Sequence, residues 1–124
     1  MTANTQRILL IDDQPAFTRL LNLTLQRSGR YVVREENDST QACSVAREFH
    51  PSIVFCDIDM PGIDGGEVAR QFRSDPGLAR VPIVFLSSLV GAKESDRDIG
   101  GFPFLSKPVS IEAMVRCIAR LATA

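Results

Sequence analysis

Apolar residues in this chain follow two patterns, short unbroken runs and longer stretches with helical spacing. Ile8 to Ile11, Ile53 to Cys56 and Ile83 to Leu86 are unbroken runs, the pattern of strands covered on both faces and so of a parallel sheet. Tyr31 to Arg34 predicts a shorter, more polar strand, and Phe102 to Leu105 a last one. Between the runs, Phe17, Leu20, Leu21 and Leu25, then Ala42, Val45, Ala46 and Phe49, recur at the spacing of one helix face. Gly29 stops the first of these helices and Pro51 follows the second. Val68 to Phe72 belongs to a third. Ser110 caps a final helix with apolar positions Ile111, Met114, Val115, Ile118 and Leu121. The slot between Ser88 and Gly101 holds Gly91, Gly100 and Gly101 and few apolar anchors, so its helix is expected to be short. Strands alternating with helical slots imply right-handed crossovers and a doubly wound α/β fold, a five-stranded parallel sheet with helices on both faces.

A chain of 124 residues can bury one core, and residues 1 to 124 are expected to form one domain. With 44% hydrophobic and 23% charged residues, the composition excludes a disordered chain. No apolar run is long enough to cross a bilayer, and Met1 to Arg7 lacks the apolar core of a secretory signal, so a cytoplasmic location is the default expectation. The formal net charge of −1, without a lysine or arginine cluster, gives no footprint for nucleic acid. Arg116 and Arg120 share a helical face, which is ordinarily just solvated. Cys43, Cys56 and Cys117 are scattered, matching neither a disulfide framework nor a metal-ligand spacing, and are expected to be reduced and mostly buried.

The chemistry lies at the strand ends, because an open doubly wound sheet binds ligands beyond the carboxyl ends of its strands. The first strand ends in Asp12 and Asp13, the third in Asp57 and the fourth in Ser87 and Ser88, while the last runs into Lys107. Like charges about 4 Å apart repel by ~4 kcal/mol at an effective dielectric near 20. Three acids gathered at one edge therefore call for a neutralising partner. Hard oxygen ligands suit Mg²⁺, which completes its octahedron with water or phosphate oxygens. Phosphoryl transfer at such a site needs positioning and charge neutralisation.

The segments Ile8-Leu9-Leu10-Ile11-Asp12-Asp13, Asp57-Ile58-Asp59-Met60-Pro61-Gly62-Ile63-Asp64-Gly65, Phe85-Leu86-Ser87-Ser88 and Gly100-Gly101-Phe102-Pro103-Phe104-Leu105-Ser106-Lys107-Pro108 occur in this order. In this the chain resembles the receiver domains of two-component response regulators, chemotaxis regulators among them, over almost its whole length. The resemblance implies the flavodoxin-like three-layer sandwich with strand order 2-1-3-4-5. It implies that Asp57 is the phosphoacceptor, attacking the phosphorus of a phosphohistidine. Asp13 would be a direct ligand of Mg²⁺, Asp12 a ligand directly or through water, and the backbone carbonyl of Asp59 a further ligand. Lys107 would contact the phosphoryl group, with a cis bond to Pro108. Ser87 would be the switch hydroxyl and Phe104 the switch aromatic, here without a tyrosine's hydroxyl. The implied partners are a sensor histidine kinase or histidine phosphotransfer protein, a downstream protein or an output domain outside this chain, and a second copy of the chain. Such a domain promotes its own phosphorylation and dephosphorylation and is not a turnover enzyme.

Two other readings compete. Asp57-Ile58-Asp59 after an apolar strand also resembles the nucleophile motif of haloacid-dehalogenase-type Mg²⁺-dependent phosphatases, but Pro61 stands where that motif has threonine or valine, and Asp12 and Asp13 would have no role. A receiver-like interaction module that no longer accepts phosphate is the second, and retention of every acidic position, Ser87 and Lys107 argues against it. Asp64 is explained by a turn and helix cap. His50 reads as a helix-end residue, Phe102 as core, and Cys56 as a small apolar neighbour of Asp57.

Overall fold

The computed structural model describes residues 5–88 and 98–123. Its elements in chain order are β1 (Gln6–Ile11), α1 (Pro15–Gln26), β2 (Tyr31–Glu36), a single 3-10 turn (Ser39–Gln41), α2 (Ala42–Phe49), β3 (Ile53–Asp57), α3 (Gly65–Ser74), β4 (Ile83–Ser87), β5 (Asp98–Ile99), β6 (Phe102–Ser106) and α4 (Ile111–Leu121). The sheet order is β2-β1-β3-β4-β6-β5. Every pairing from β2 through β6 is parallel, so the expected five-stranded parallel order is present.

β5 is an addition to that expectation. It pairs antiparallel with β6 through Asp98–Pro103 and Ile99–Phe102. Gly100 and Gly101 join the two strands at φ +59° and +87°, the successive positive values that a tight hairpin turn requires. The sequence reading takes these glycines as weakening a helix and as the start of the last matching segment, although they equally signal a turn. Most of the slot expected to hold a short helix, residues 89–97, lies outside the described residues.

The unbroken apolar runs are buried on both faces. Leu9, Ile11, Val54, Cys56, Ile83 and Phe85 point to one side, against Ala42, Val45, Ala46 and Phe49 of α2 and Val68, Ala69 and Phe72 of α3. Ile8, Leu10, Ile53, Phe55, Val84 and Leu86 point to the other, against Leu21 and Leu25 of α1 and Met114, Cys117 and Ile118 of α4. This alternation within each strand is what a pleated sheet between two helical layers produces.

Two helical positions differ from the sequence reading. Leu20 is 63% exposed, and Thr18 takes the inward place in α1. A polar residue can face inward there because its hydroxyl donates to Glu35 Oε1 at 2.6 Å, which removes the cost of burying it. Val115 is likewise exposed, at the margin of the face formed by Met114, Cys117 and Ile118. The expected caps are present: Asp64 Oδ1 accepts from the Glu67 amide and Ser110 Oγ from the Ala113 amide. His50 is exposed and ends α2 in the left-handed conformation, φ 55°. The three cysteines are free and buried. Among the described residues, no helix is long and apolar enough to cross a membrane.

Candidate functional site

Parallel strands bring their carboxyl ends to one edge, and the register fixes what meets there. Ile11 pairs with Cys56, Asp57 with Leu86, and Ser87 with Ser106. Asp12, Asp57, Ser87 and Lys107 therefore stand at or one step beyond neighbouring strand ends. Carboxylate oxygens of Asp12, Asp13 and Asp57 all lie within 4.8 Å of one another. Asp12 and Asp57 are buried, while Asp13 is half-buried.

Lys107 closes the cluster. Its Nζ donates to Asp12 Oδ2 at 3.0 Å and lies 3.5 Å from Asp57 Oδ1. The Lys107 amide donates to the Ser87 carbonyl at 2.7 Å, and the Lys107–Pro108 bond is cis as expected. Asp12 uses its other oxygen too, Oδ1 accepting from the Gln14 amide at 3.0 Å. It thus fastens the backbone just ahead of α1, whose N-cap residue is Gln14, and pairs with Lys107 at once.

The charges alter one another's titration. Burial raises the Asp57 carboxyl above its ordinary range, the Asp12 charge adds to this, and Lys107 together with the Asp59 amide opposes it without cancelling it. For Lys107, burial alone would lower the pKa, but the hydrogen bond and charge of Asp12 and the charge of Asp57 outweigh it, and the net shift is upward. The site holds its lysine firmly charged and its central acid under repulsion.

Asp59 follows at the rim with its side chain exposed, and its amide approaches Asp57 Oδ1 at 3.4 Å. Ser87 is buried at the end of β4. Phe104 is half-buried on the α2/α3 side of the sheet. Phe102 packs on the same side with its ring 5.3 Å from that of Phe85, in keeping with a core role. Asp64 stays outside the cluster as a cap.

Several contributors were not singled out from sequence. Asn37 Nδ2 donates to the Asp12 carbonyl at 2.7 Å and to Thr18 Oγ1 at 3.0 Å. Thr18 donates on to Glu35, which also accepts from Asn22, so a polar chain ties the Asp12 backbone to α1 and β2. Ser39 Oγ bridges the Pro61 carbonyl and the Ile63 amide, fastening the loop after Asp57. Gly65 lets α3 approach: a Cβ there would fall 2.6 Å from the Asp57 carbonyl oxygen. Phe17 places its ring under Lys107. Asn37 and Ser39 lie within three residues of the end of β2, which was their only sequence signal, while Phe17 and Gly65 were read only as a helix-face position and as part of a matching segment.

Residues 8–119 match the family model of the response regulator receiver domain. The chain is 31% identical over 117 residues to the DNA-binding dual master transcriptional regulator RpaA of Synechocystis sp., covering 93% of this chain and 48% of RpaA. It is 29% identical over 119 residues to protein PilH of Pseudomonas aeruginosa, covering 90% of this chain and 93% of PilH. It therefore spans about half or less of the length of some relatives and nearly all of others. A crystal structure of a response regulator from Desulfuromonas acetoxidans superposes with a TM-score of 0.79 at 27% identity, covering 93% of this chain and 94% of that one. The strand order, the acid cluster with its lysine and these matches agree, and the chain belongs to the response regulator receiver domain family.

Proposed function

We propose that Asp57 is the phosphoacceptor of this receiver and that Mg²⁺ serves it at the acid cluster. The observation that carries the reading is the convergence of Asp12, Asp13 and Asp57 with the Lys107 ammonium at one sheet edge. The donor set fits the ion: the ligands are hard carboxylate oxygens, and the half-buried Asp13 leaves one side open to water and phosphate. Asp12, Asp13 and Asp57, with the Asp59 backbone carbonyl, would hold it. Once bound, the ion supplies positive charge that offsets the carboxylates and the oxygens of an incoming phosphoryl group.

The remaining work falls to the chain's own residues. A carboxylate oxygen of Asp57 attacks the phosphorus of a phosphohistidine, the P–N bond breaks, and the imidazole leaves with its electron pair. Lys107 donates to a phosphoryl oxygen, Ser87 offers its hydroxyl to another, and Phe104 follows Ser87 as the switch aromatic. Water attack at phosphorus later regenerates the carboxylate and releases inorganic phosphate. The phosphoryl source is a sensor histidine kinase or a histidine phosphotransfer protein, and the reader of the switched face is a downstream protein or an output domain.

Phosphoramidate carries the P–N bond of the biological donor. It is expected to label the wild type in Mg²⁺, to label nothing in excess chelator, and to leave Asp57→Ala unlabelled. Multiple turnover of p-nitrophenyl phosphate would instead mark a phosphatase and overturn the reading.

A further inference from the structure

Lys107 is held on three sides, and two of them are the carboxylates of Asp12 and Asp57. The third is aromatic: the ammonium lies 4.6 Å from the centroid of the Phe17 ring, inside the distance at which a ring quadrupole attracts a cation. Phe17 stands in the first turn of α1, half-buried, and packs against the core between the sheet and the α1/α4 layer. Helix and core therefore fix the ring. An aliphatic side chain could also contribute apolar surface to that packing. What only an aromatic residue adds is a negative face beneath the cation.

We infer that Phe17 is a positioning residue for phosphoryl acceptance, holding Lys107 Nζ at the mouth of the carboxylate cluster where a phosphoryl oxygen arrives. This rests on the reading of Asp57 as phosphoacceptor. The lysine side chain is 20% exposed, so water competes for its ammonium. An ammonium has three N–H donors. Attraction to a ring face restrains the group without using any of them, which leaves donors for Asp12, Asp57 and the incoming oxygen. A hydrogen-bonding residue in place of Phe17 would restrain Lys107 only by taking one.

The test replaces Phe17 with mono-, di- and trifluorinated phenylalanine, which nearly preserve ring size while weakening the negative face stepwise, alongside Phe17→Tyr and Phe17→Leu. In the metal-free protein, the ε-methylene protons of Lys107 are expected upfield in the wild type and Phe17→Tyr, and at ordinary values in Phe17→Leu. Asp57 labelling by phosphoramidate in Mg²⁺ should slow with each added fluorine, reaching about two- to fivefold for the trifluorinated ring. Phe17→Tyr should keep the wild-type rate and Phe17→Leu should lose a similar factor, while thermal midpoints across the fluorinated series stay level. A purely structural ring would give a flat rate across the series, and that result overturns the inference even if Phe17→Leu fails to fold. Labelling of the wild type at Asp57 with a flat series removes only the role of Phe17, whereas a wild type unlabelled at Asp57 removes the phosphoacceptor reading and this inference together.

Discussion

Asparagine at position 57 is expected to make the metal-free protein more stable. Asp57 shares a 4.8 Å cluster with Asp12 and Asp13. At an effective dielectric near 20, each such repulsion amounts to ~3.5 kcal/mol, and the attraction to Lys107 at 3.5 Å to ~4.7 kcal/mol. Asp13 is half-buried, so solvent screening cuts its share to about half. The charge terms then nearly balance, leaving a small net repulsion. Burial of the carboxylate adds a cost of the same sign and is the larger cause of the raised Asp57 pKa. Together these give about 1–2 kcal/mol in favour of Asp57→Asn at neutral pH, roughly 4–8 °C in Tm for a domain of this size. The pH dependence has a definite sign. Because folding raises the Asp57 pKa, protonated Asp57 favours the folded state, an advantage present below the unfolded value of 3.8 and lost as pH rises through the folded one. The variant's advantage should therefore be full above the raised folded value and shrink as pH falls through it towards 3.8. Added Mg²⁺ should also shrink it, by stabilising the wild type through mass action. Calorimetric melts of both proteins in chelator, across this pH range and then in Mg²⁺, check each step. A less stable Asp57→Asn, or a gap that persists unchanged at low pH, would show that the Lys107 pairing dominates and that the acids are not under repulsion.

Gly65→Ala is expected to cost about 1–3 kcal/mol and to slow Asp57 labelling, because its Cβ would meet the backbone of Asp57 and Ile58 at 2.6 and 2.9 Å; chemical denaturation and labelling kinetics measure the two effects. Asp64→Ala and Ser110→Ala each remove a side-chain cap and should cost ~1 kcal/mol by denaturation, with labelling near wild type for Ser110→Ala. Burial, followed by the charges of Asp57, Asp12 and Asp64, pushes the Cys56 thiol far above its ordinary pKa. Iodoacetamide should consequently leave Cys56 unmodified in the native protein at pH 8 and modify it only on unfolding, as peptide mass spectrometry would show.

The parallel sheet was legible because its central strands are buried on both sides and so read as unbroken apolar runs. The meeting of Asp12, Asp13, Asp57 and Lys107 was legible for a related reason: polar residues that stop such runs have nowhere to go but the sheet edge. Where side chains are amphipathic or contacts non-local, the pattern carried less. Leu20 and Thr18 exchange their expected places because a hydrogen bond to Glu35 from another element settles which one faces inward, and helical spacing contains no information about Glu35. The Gly100-Gly101 pair was ambiguous between a poor helix and a hairpin turn, and pairing with β6 decides it. Asn37, Ser39 and Phe17 support the site across 25, 22 and 90 residues of chain, separations at which no local pattern can speak.

Trapping the phosphorylated residue tests the central claim most directly. The protein is incubated with acetyl phosphate and Mg²⁺, the acyl phosphate is reduced with borohydride to a stable alcohol, and the modified peptide is located by mass spectrometry. The expected result is homoserine at position 57 alone, absent in excess chelator. Modification at another residue, or equal modification of Asp57 without a divalent ion, would contradict the account.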